Sequence, residues 1–171
     1  MANLIQDKIK RSIKAAEGLY YRLVLLVGET GSGKTGILRD VADDLGAEVI
    51  NINLALSFEL LELTTKQRAL RLPGILDHII DKTKPIVVLD NIEILFDKHL
   101  KQDPLRLLQG ISRNSSVLAS WNGTTAGGRL IYAETGHPEY RCYDPADTLI
   151  VGMDGTSTVN SEKNTIEAGQ A

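Results

Sequence analysis

The sequence predicts an α/β domain: a mostly parallel central sheet with helices on both faces, in three layers. Three observations predict it. Aliphatic runs alternate with helical repeats along most of the chain. A glycine-rich turn joins the first of those runs to a helix. The runs "LVLLV" and "PIVVL" are apolar without alternation, as strands covered on both faces are.

The 171 residues suit one domain with a single core. Leu4, Ile5, Ile9 and Ile13 recur near the helical period with charges between them, so residues 1–18 form an amphipathic helix ending near Gly18. "YRLVLLVG" reads as a buried strand. Ile37, Leu38, Val41 and Leu45 then mark one face of a helix that stops at Gly46, and "EVININ" follows as a second strand. Residues 54–72 hold one or two short helices; Pro73 suits a helix start, with Leu72, Leu76, Ile79 and Ile80 on one stripe. "PIVVLD" is the third strand. Asp103 before Pro104 reads as an N-cap opening a helix through Leu105, Leu108 and Ile111, and "SVLASW" is the fourth strand.

Beyond Asn122, "GRLIYAE" and "EYRCYD" read as short strands joined by the turn "TGHP", with "DTLIVGM" as another. The expected organisation is one domain over 1–153, its end (124–153) β-rich, followed by a polar, disordered tail over 154–171.

Nineteen Lys and Arg oppose 22 Asp and Glu, so the chain lacks the positive field that draws proteins onto nucleic acid. Contact with DNA would be indirect or local. Lys8, Lys10, Arg11 and Lys14 read as a solvated helix face. A lone cysteine, Cys142, excludes an internal disulfide, and "MANLIQDKIKRSIK" has no apolar signal core, which together predict a reducing, cytoplasmic setting. The apolar runs are far below the ~20 residues that cross a bilayer, so no membrane association is expected. His78, His99 and His137 lack metal-ligand spacing.

Gly28, Glu29, Thr30, Gly31, Ser32, Gly33, Lys34 and Thr35 match G-x-x-x-x-G-K-[ST] position by position, between a strand and a helix. A loop without bulky side chains turns its backbone N–H groups around a polyphosphate, and the helix dipole adds to the attraction. Lys34 reaches the β- and γ-phosphates, and the Thr35 hydroxyl ligates Mg²⁺. Asp90, at the end of "PIVVLD", is the second metal residue, with an N-cap or turn aspartate as its alternative. The ligand expected is Mg²⁺-ATP on a P-loop NTPase fold; no guanine signature N-K-x-D occurs.

The phosphate loop and Asp90, with a strand ending in "SWN", resemble the additional-strand P-loop ATPases of the AAA+ and STAND-like group. The resemblance implies that a polar residue at the end of the fourth strand, Asn122 or Ser120, senses the γ-phosphate; the alternative for Asn122 is a turn made by "NGT". Many AAA+ ATPases carry glutamate directly after the magnesium aspartate, and here that residue is Asn91. An amide orients water but cannot take its proton, which leaves Glu93 as the fallback base. "LDNIEIL" is also similar to STAND switch ATPases. No helical lid follows the fourth strand, so its arginine is unaccounted for; Arg113, Arg129 and Arg141 are candidates for an arginine that neutralises the transferring phosphoryl group, often from a neighbouring subunit, Arg113 first, with a surface arginine as the alternative for each. Tyr20 and Tyr21 lie where adenine packs in AAA+ relatives, with core packing as the alternative, and Trp121 reads as a core anchor.

"AEGLYYRLVLLVGETGSGKT", "VVLDNIEILFDKHLKQDPLRLLQGISRN", "SWNGT" and "GRLIYAETGHPEYRCYD" resemble the small P-loop proteins of type III BREX phage-defence systems, the BrxF family, from about Glu17 to Tyr143. The resemblance implies a stand-alone nucleotide-binding subunit of a bacterial antiviral assembly, working beside a DNA methyltransferase and larger ATPase and effector proteins. From the residues, three activities stay open. One is an ATPase, self-assembled so that one subunit completes its neighbour's site. Another is a nucleotide-controlled switch with little turnover. The third is a small-molecule kinase, since "GETGSGKT" also fits G-x-x-G-x-G-K-[ST]; against it, the second strand ends in "NIN" and no arginine-rich lid is visible.

Overall fold

In a computed structural model, which describes residues 2–159, the long helix α1 (Ala2–Ala16) is followed by β1 (Leu23–Gly28), α2 (Lys34–Leu45) and β2 (Val49–Asn51). Next come α3 (Ile52–Leu60), α4 (Thr65–Ile79), β3 (Ile86–Asp90), two short 3-10 turns (Glu93–Phe96 and Lys98–Leu100) and α5 (Pro104–Ser112). The chain continues through β4 (Ser116–Ala126), β5 (Arg129–Tyr132), β6 (Arg141–Tyr143) and β7 (Leu149–Gly152).

The sheet runs β2-β3-β4-β1-β7, and every pairing along that path is parallel. β4 lies between β1 and β3, as the resemblance to the additional-strand P-loop ATPases implies. Both faces are covered: Leu23, Leu25 and Val27 of β1 join the core under α3, α4 and α5, while Val24 and Leu26 join the core under α1 and α2. That explains strands apolar at every position.

The expected β-rich end divides into two parts. β7 returns to the parallel sheet beside β1, with Val24 opposite Leu149 and Val27 opposite Gly152. β5 and β6 instead extend the far half of β4 as an antiparallel ribbon. Residues 154–159 run back along β7, with Thr158 N–H donating to the Ile150 carbonyl at 3.0 Å. The remainder of the expected tail, 160–171, lies outside the described residues.

Several local expectations are corrected. On α1 the buried stripe is Ile5, Ile9, Ser12 and Ala16; Leu4 faces solvent. Leu45 is likewise exposed at the end of α2. The second strand ends at Asn51 because its side chain caps α3, accepting from Leu54 N–H at 3.0 Å. Pro73 does not start a helix. α4 starts eight residues earlier, at Thr65, on a capping box made by Thr64 and Gln67, and Pro73 sits in its interior. Proline there deprives the carbonyl four residues back, Ala69, of its helical donor. Gln102 Nε2 donates to that carbonyl at 2.9 Å instead.

Asn122-Gly123 is not a turn. β4 continues through it, and a Cβ on Gly123 would stand 1.9 Å from the Ile131 carbonyl oxygen, so glycine is needed there for close strand approach. The turn lies further on, at Gly127 and Gly128, between the paired Ala126 and Arg129.

Candidate functional site

Parallel strands bring their C-terminal ends to one edge. With β4 between β1 and β3, that edge collects the loop after Gly28, Asp90, Ser120 and Asn122, the last directly opposite Gly28.

Within the loop, Gly33 adopts the left-handed conformation (φ 95°) and stands at the N-cap of α2 without a side-chain capping bond. The first-turn amides of α2 therefore face the loop uncapped, the arrangement that binds an anion. Lys34 is 6% exposed, and its ammonium donates to the carbonyls of Gly28 at 2.9 Å and Glu29 at 2.8 Å. Burial lowers its pKa, opposed by the charges of Glu93 and Asp90.

Asp90 is buried and accepts from two hydroxyls: Thr35 Oγ1 to Oδ2 and Ser120 Oγ to Oδ1, each at 2.7 Å. Asn91 then turns left-handed (φ 52°), a conformation asparagine tolerates better than most residues, and its carbonyl accepts from Asn53 N–H at 2.9 Å. This bend leads into the 3-10 turn that carries Glu93. Burial pushes the Glu93 carboxyl above the usual glutamate range, and the nearby Asp90 charge pushes it the same way. Asn122 Nδ2 donates to Glu93 Oε1.

Glu93 and Asn122 open onto a cleft of about 680 Å³, bounded by Glu29 and Thr30 on one side and by Tyr132, Glu134 and His137 on the other. An aromatic group stiffens its floor. Phe96, on the same turn as Glu93, stacks on Tyr132 with ring centres 3.4 Å apart, and Trp121 meets both rings edge-on. Trp121 is fully buried, as its reading as a core anchor requires, and its Nε1 donates to the Ile131 carbonyl at 3.1 Å.

The fold thus brings together Gly28 to Thr35, Asp90, Glu93 and Asn122. Ser120 and Asn122, read as alternatives, take different partners, one holding Asp90 and the other Glu93. Asn91 supplies a backbone bend and does not line the cleft.

The arginines do not join the site. Arg113 ends α5 just before β4 begins, hence at the opposite edge of the sheet, with its guanidinium carbon 4.7 Å from the centre of the Tyr20 ring. Tyr20 and Tyr21 precede β1 at that same edge, in mutual edge-to-face contact, so neither lies by the phosphate loop. Arg129 is exposed at the start of β5, and Arg141 donates to the Gln102 carbonyl at 2.9 Å.

The sequence reading missed Phe96, Tyr132, Glu134 and His137. Phe96 falls three residues after Glu93, which on a 3-10 turn points both the same way. The other three reach the cleft through the β4–β5 ribbon and carry no local signal. Among the described residues no group of three or more His, Cys, Asp or Glu could hold a metal by itself, and no helix is long and apolar enough to cross a membrane.

The family model for ATPases associated with various cellular activities (AAA) matches residues 24–119, more than half the chain and all of the span from β1 into β4. A tRNA dimethylallyltransferase from Janthinobacterium sp. (strain Marseille) is 31% identical over 103 residues, which cover 60% of this chain and 31% of that protein. The chain therefore spans about a third of that relative's length. Among solved structures, C. elegans PCH-2 aligns with a TM-score of 0.45 at 18% identity, covering 89% of this chain and 41% of that one.

Proposed function

The chain belongs to the AAA family of ATPases and is a P-loop nucleotide-binding protein, and on that premise we propose that it binds Mg²⁺-ATP at the C-terminal sheet edge and hydrolyses it with Glu93 as the base. One observation carries the reading: three separate segments meet at one sheet edge, where buried Lys34 holds the phosphate loop, Thr35 bonds the buried Asp90 carboxylate, and Glu93 faces the adjoining cleft.

The residues fit both groups. The uncapped amides of α2 and the Lys34 ammonium suit a triphosphate. The Thr35 hydroxyl and Asp90 carboxylate, 2.7 Å apart, are the hard oxygen donors that magnesium prefers. Bound there, Mg²⁺ supplies Lewis-acid polarisation of the β- and γ-phosphates. Ser120 fixes the rotation of the Asp90 carboxylate. Glu93, its basicity raised by burial, takes a proton from water as the water oxygen attacks the γ-phosphorus. The bond to the β-phosphate breaks, and its electron pair leaves with ADP. Asn122 holds Glu93 in place.

The cellular reading is a nucleotide-binding subunit of a bacterial BREX antiphage system, cytoplasmic, acting with that system's other proteins and touching DNA through them. Its support is the likeness of "DNIEILFDKHLKQDPLRLLQ" and the segments around it to the BrxF family. Residues 1–153 serve as the single functional domain.

A switch with little turnover is the second reading. It is favoured by the cleft's lining, which among the described residues includes no arginine to neutralise the transferring phosphoryl group. Calorimetric titration with Mg²⁺-ATP alongside phosphate release separates the two. The ATPase reading expects binding and turnover, both lost in Lys34→Ala; binding without turnover supports the switch, and absence of binding defeats both.

A further inference from the structure

α3 is apolar on both of its long faces. Ile52, Leu56 and Leu60 pack into the core, whereas Leu54, Phe58 and Leu61 are 70%, 78% and 66% exposed. At about 100° per residue the exposed three fall on one stripe, opposite the buried three. A helix apolar all round belongs in an interior, and this chain covers only one side of it.

We propose that a second copy of this chain covers the other side, through a two-fold contact in which α3 packs antiparallel on α3. Spacings of four and three residues on either side of Phe58 make the stripe nearly palindromic. Reversing the helix sets Leu54 against Leu61 and Phe58 against Phe58, as an isologous contact requires.

Charge agrees with that direction. α3 has no acidic residue in its first turn and no basic residue in its last, while Glu59 and Glu62 stand exposed at its C-terminal end. Antiparallel packing lays the Glu62 carboxylate along the N-terminal, electropositive first turn of the other copy's helix, with Glu59 nearer its middle. Parallel packing would place them side by side. The same carboxylates disfavour an anionic membrane surface.

Area is adequate for the centre of an interface. Three side chains presenting ~150–200 Å² each, exposed to this extent, leave roughly 350 Å² of apolar surface per copy. Asn53, Ser57, Glu59 and Glu62 around them supply the polar rim of a contact in the standard size range, ~800 Å² per partner. The contact is distinct from the phosphate cleft and independent of the nucleotide.

Light scattering on the full chain tests it. The expected mass is twice 18.7 kDa, with or without Mg²⁺-ATP, and unchanged by Lys34→Ala. Phe58→Asp, a change at an exposed position that leaves the fold intact by circular dichroism, halves the mass. In a Cys142→Ser background, Phe58→Cys forms an intermolecular disulfide on mild oxidation. A single-chain mass for the wild type at tens of micromolar, an oligomer that survives Phe58→Asp, or assembly that appears only with nucleotide overturns the proposal.

Discussion

The two edges of the parallel sheet are made by the same strands and differ in what they leave open. At the N-terminal edge most polar groups meet one another, although Ser115 Oγ is buried there without a partner. Arg22 N–H donates to the Ser112 carbonyl at 3.1 Å, its guanidinium reaches the Arg113 carbonyl at 2.8 Å, and Arg113 lies over Tyr20. At the C-terminal edge a buried ammonium sits beside one buried carboxylate, Asp90, and one half-buried, Glu93, and a helix N-terminus stands without a side-chain cap. Charge concentrated in this way costs stability and persists where a ligand arrives to complete it. The difference teaches that the site is marked by its concentrated charge as much as by its motif.

Substitutions can break or sharpen that contrast. The largest effect is expected from Trp121→Ala, which empties the aromatic floor joining the ribbon to Glu93. A loss of about 3–5 kcal/mol in chemical denaturation is expected, and a loss below 1 kcal/mol would detach the ribbon from the site. Lys34→Ala should weaken Mg²⁺-ATP binding by about 2–4 kcal/mol in calorimetry. The same truncation at Arg113, on the other edge, should leave affinity unchanged, and equal losses would erase the distinction between the edges. Ser120→Ala leaves one lone pair of a buried carboxylate bare and should cost about 1–3 kcal/mol of stability, read as a lowered midpoint in urea.

The smallest expected effect is electrostatic. Burial holds the folded pKa of Glu93 above its unfolded value, so between the two the folded chain binds more protons. Stability should fall as pH rises from the ordinary glutamate range through the raised value. Glu93→Gln removes that dependence and should melt higher than wild type at neutral pH; a lower melting temperature would contradict the shift.

The contrast also explains what could be read from the sequence. The phosphate loop was legible because its geometry is local: eight consecutive residues set the backbone, and the strand and helix around them show their own periodicity. The parallel core was legible for the same reason. Pro73 misled because the donor that makes it tolerable, Gln102, is 29 residues further along. Asn122-Gly123 misled because the need for glycine comes from Ile131, across a strand pairing that no local pattern reveals. That Arg113 lies at the other edge from its own phosphate loop could not be read, because sequence order does not say which sheet edge a residue reaches. Glu93 could be named as a base, but the groups that hold it, Asn122 and the Phe96–Tyr132 stack, meet only in the folded chain.

The proposed hydrolysis requires that Glu93, placed by the bend at Asn91, be the group that activates water. Phosphate release by Glu93→Gln at saturating Mg²⁺-ATP, with bound nucleotide confirmed in the same sample, tests it most directly. The predicted result is a rate reduced by ~10²–10⁴ with affinity retained; a rate equal to wild type would contradict it.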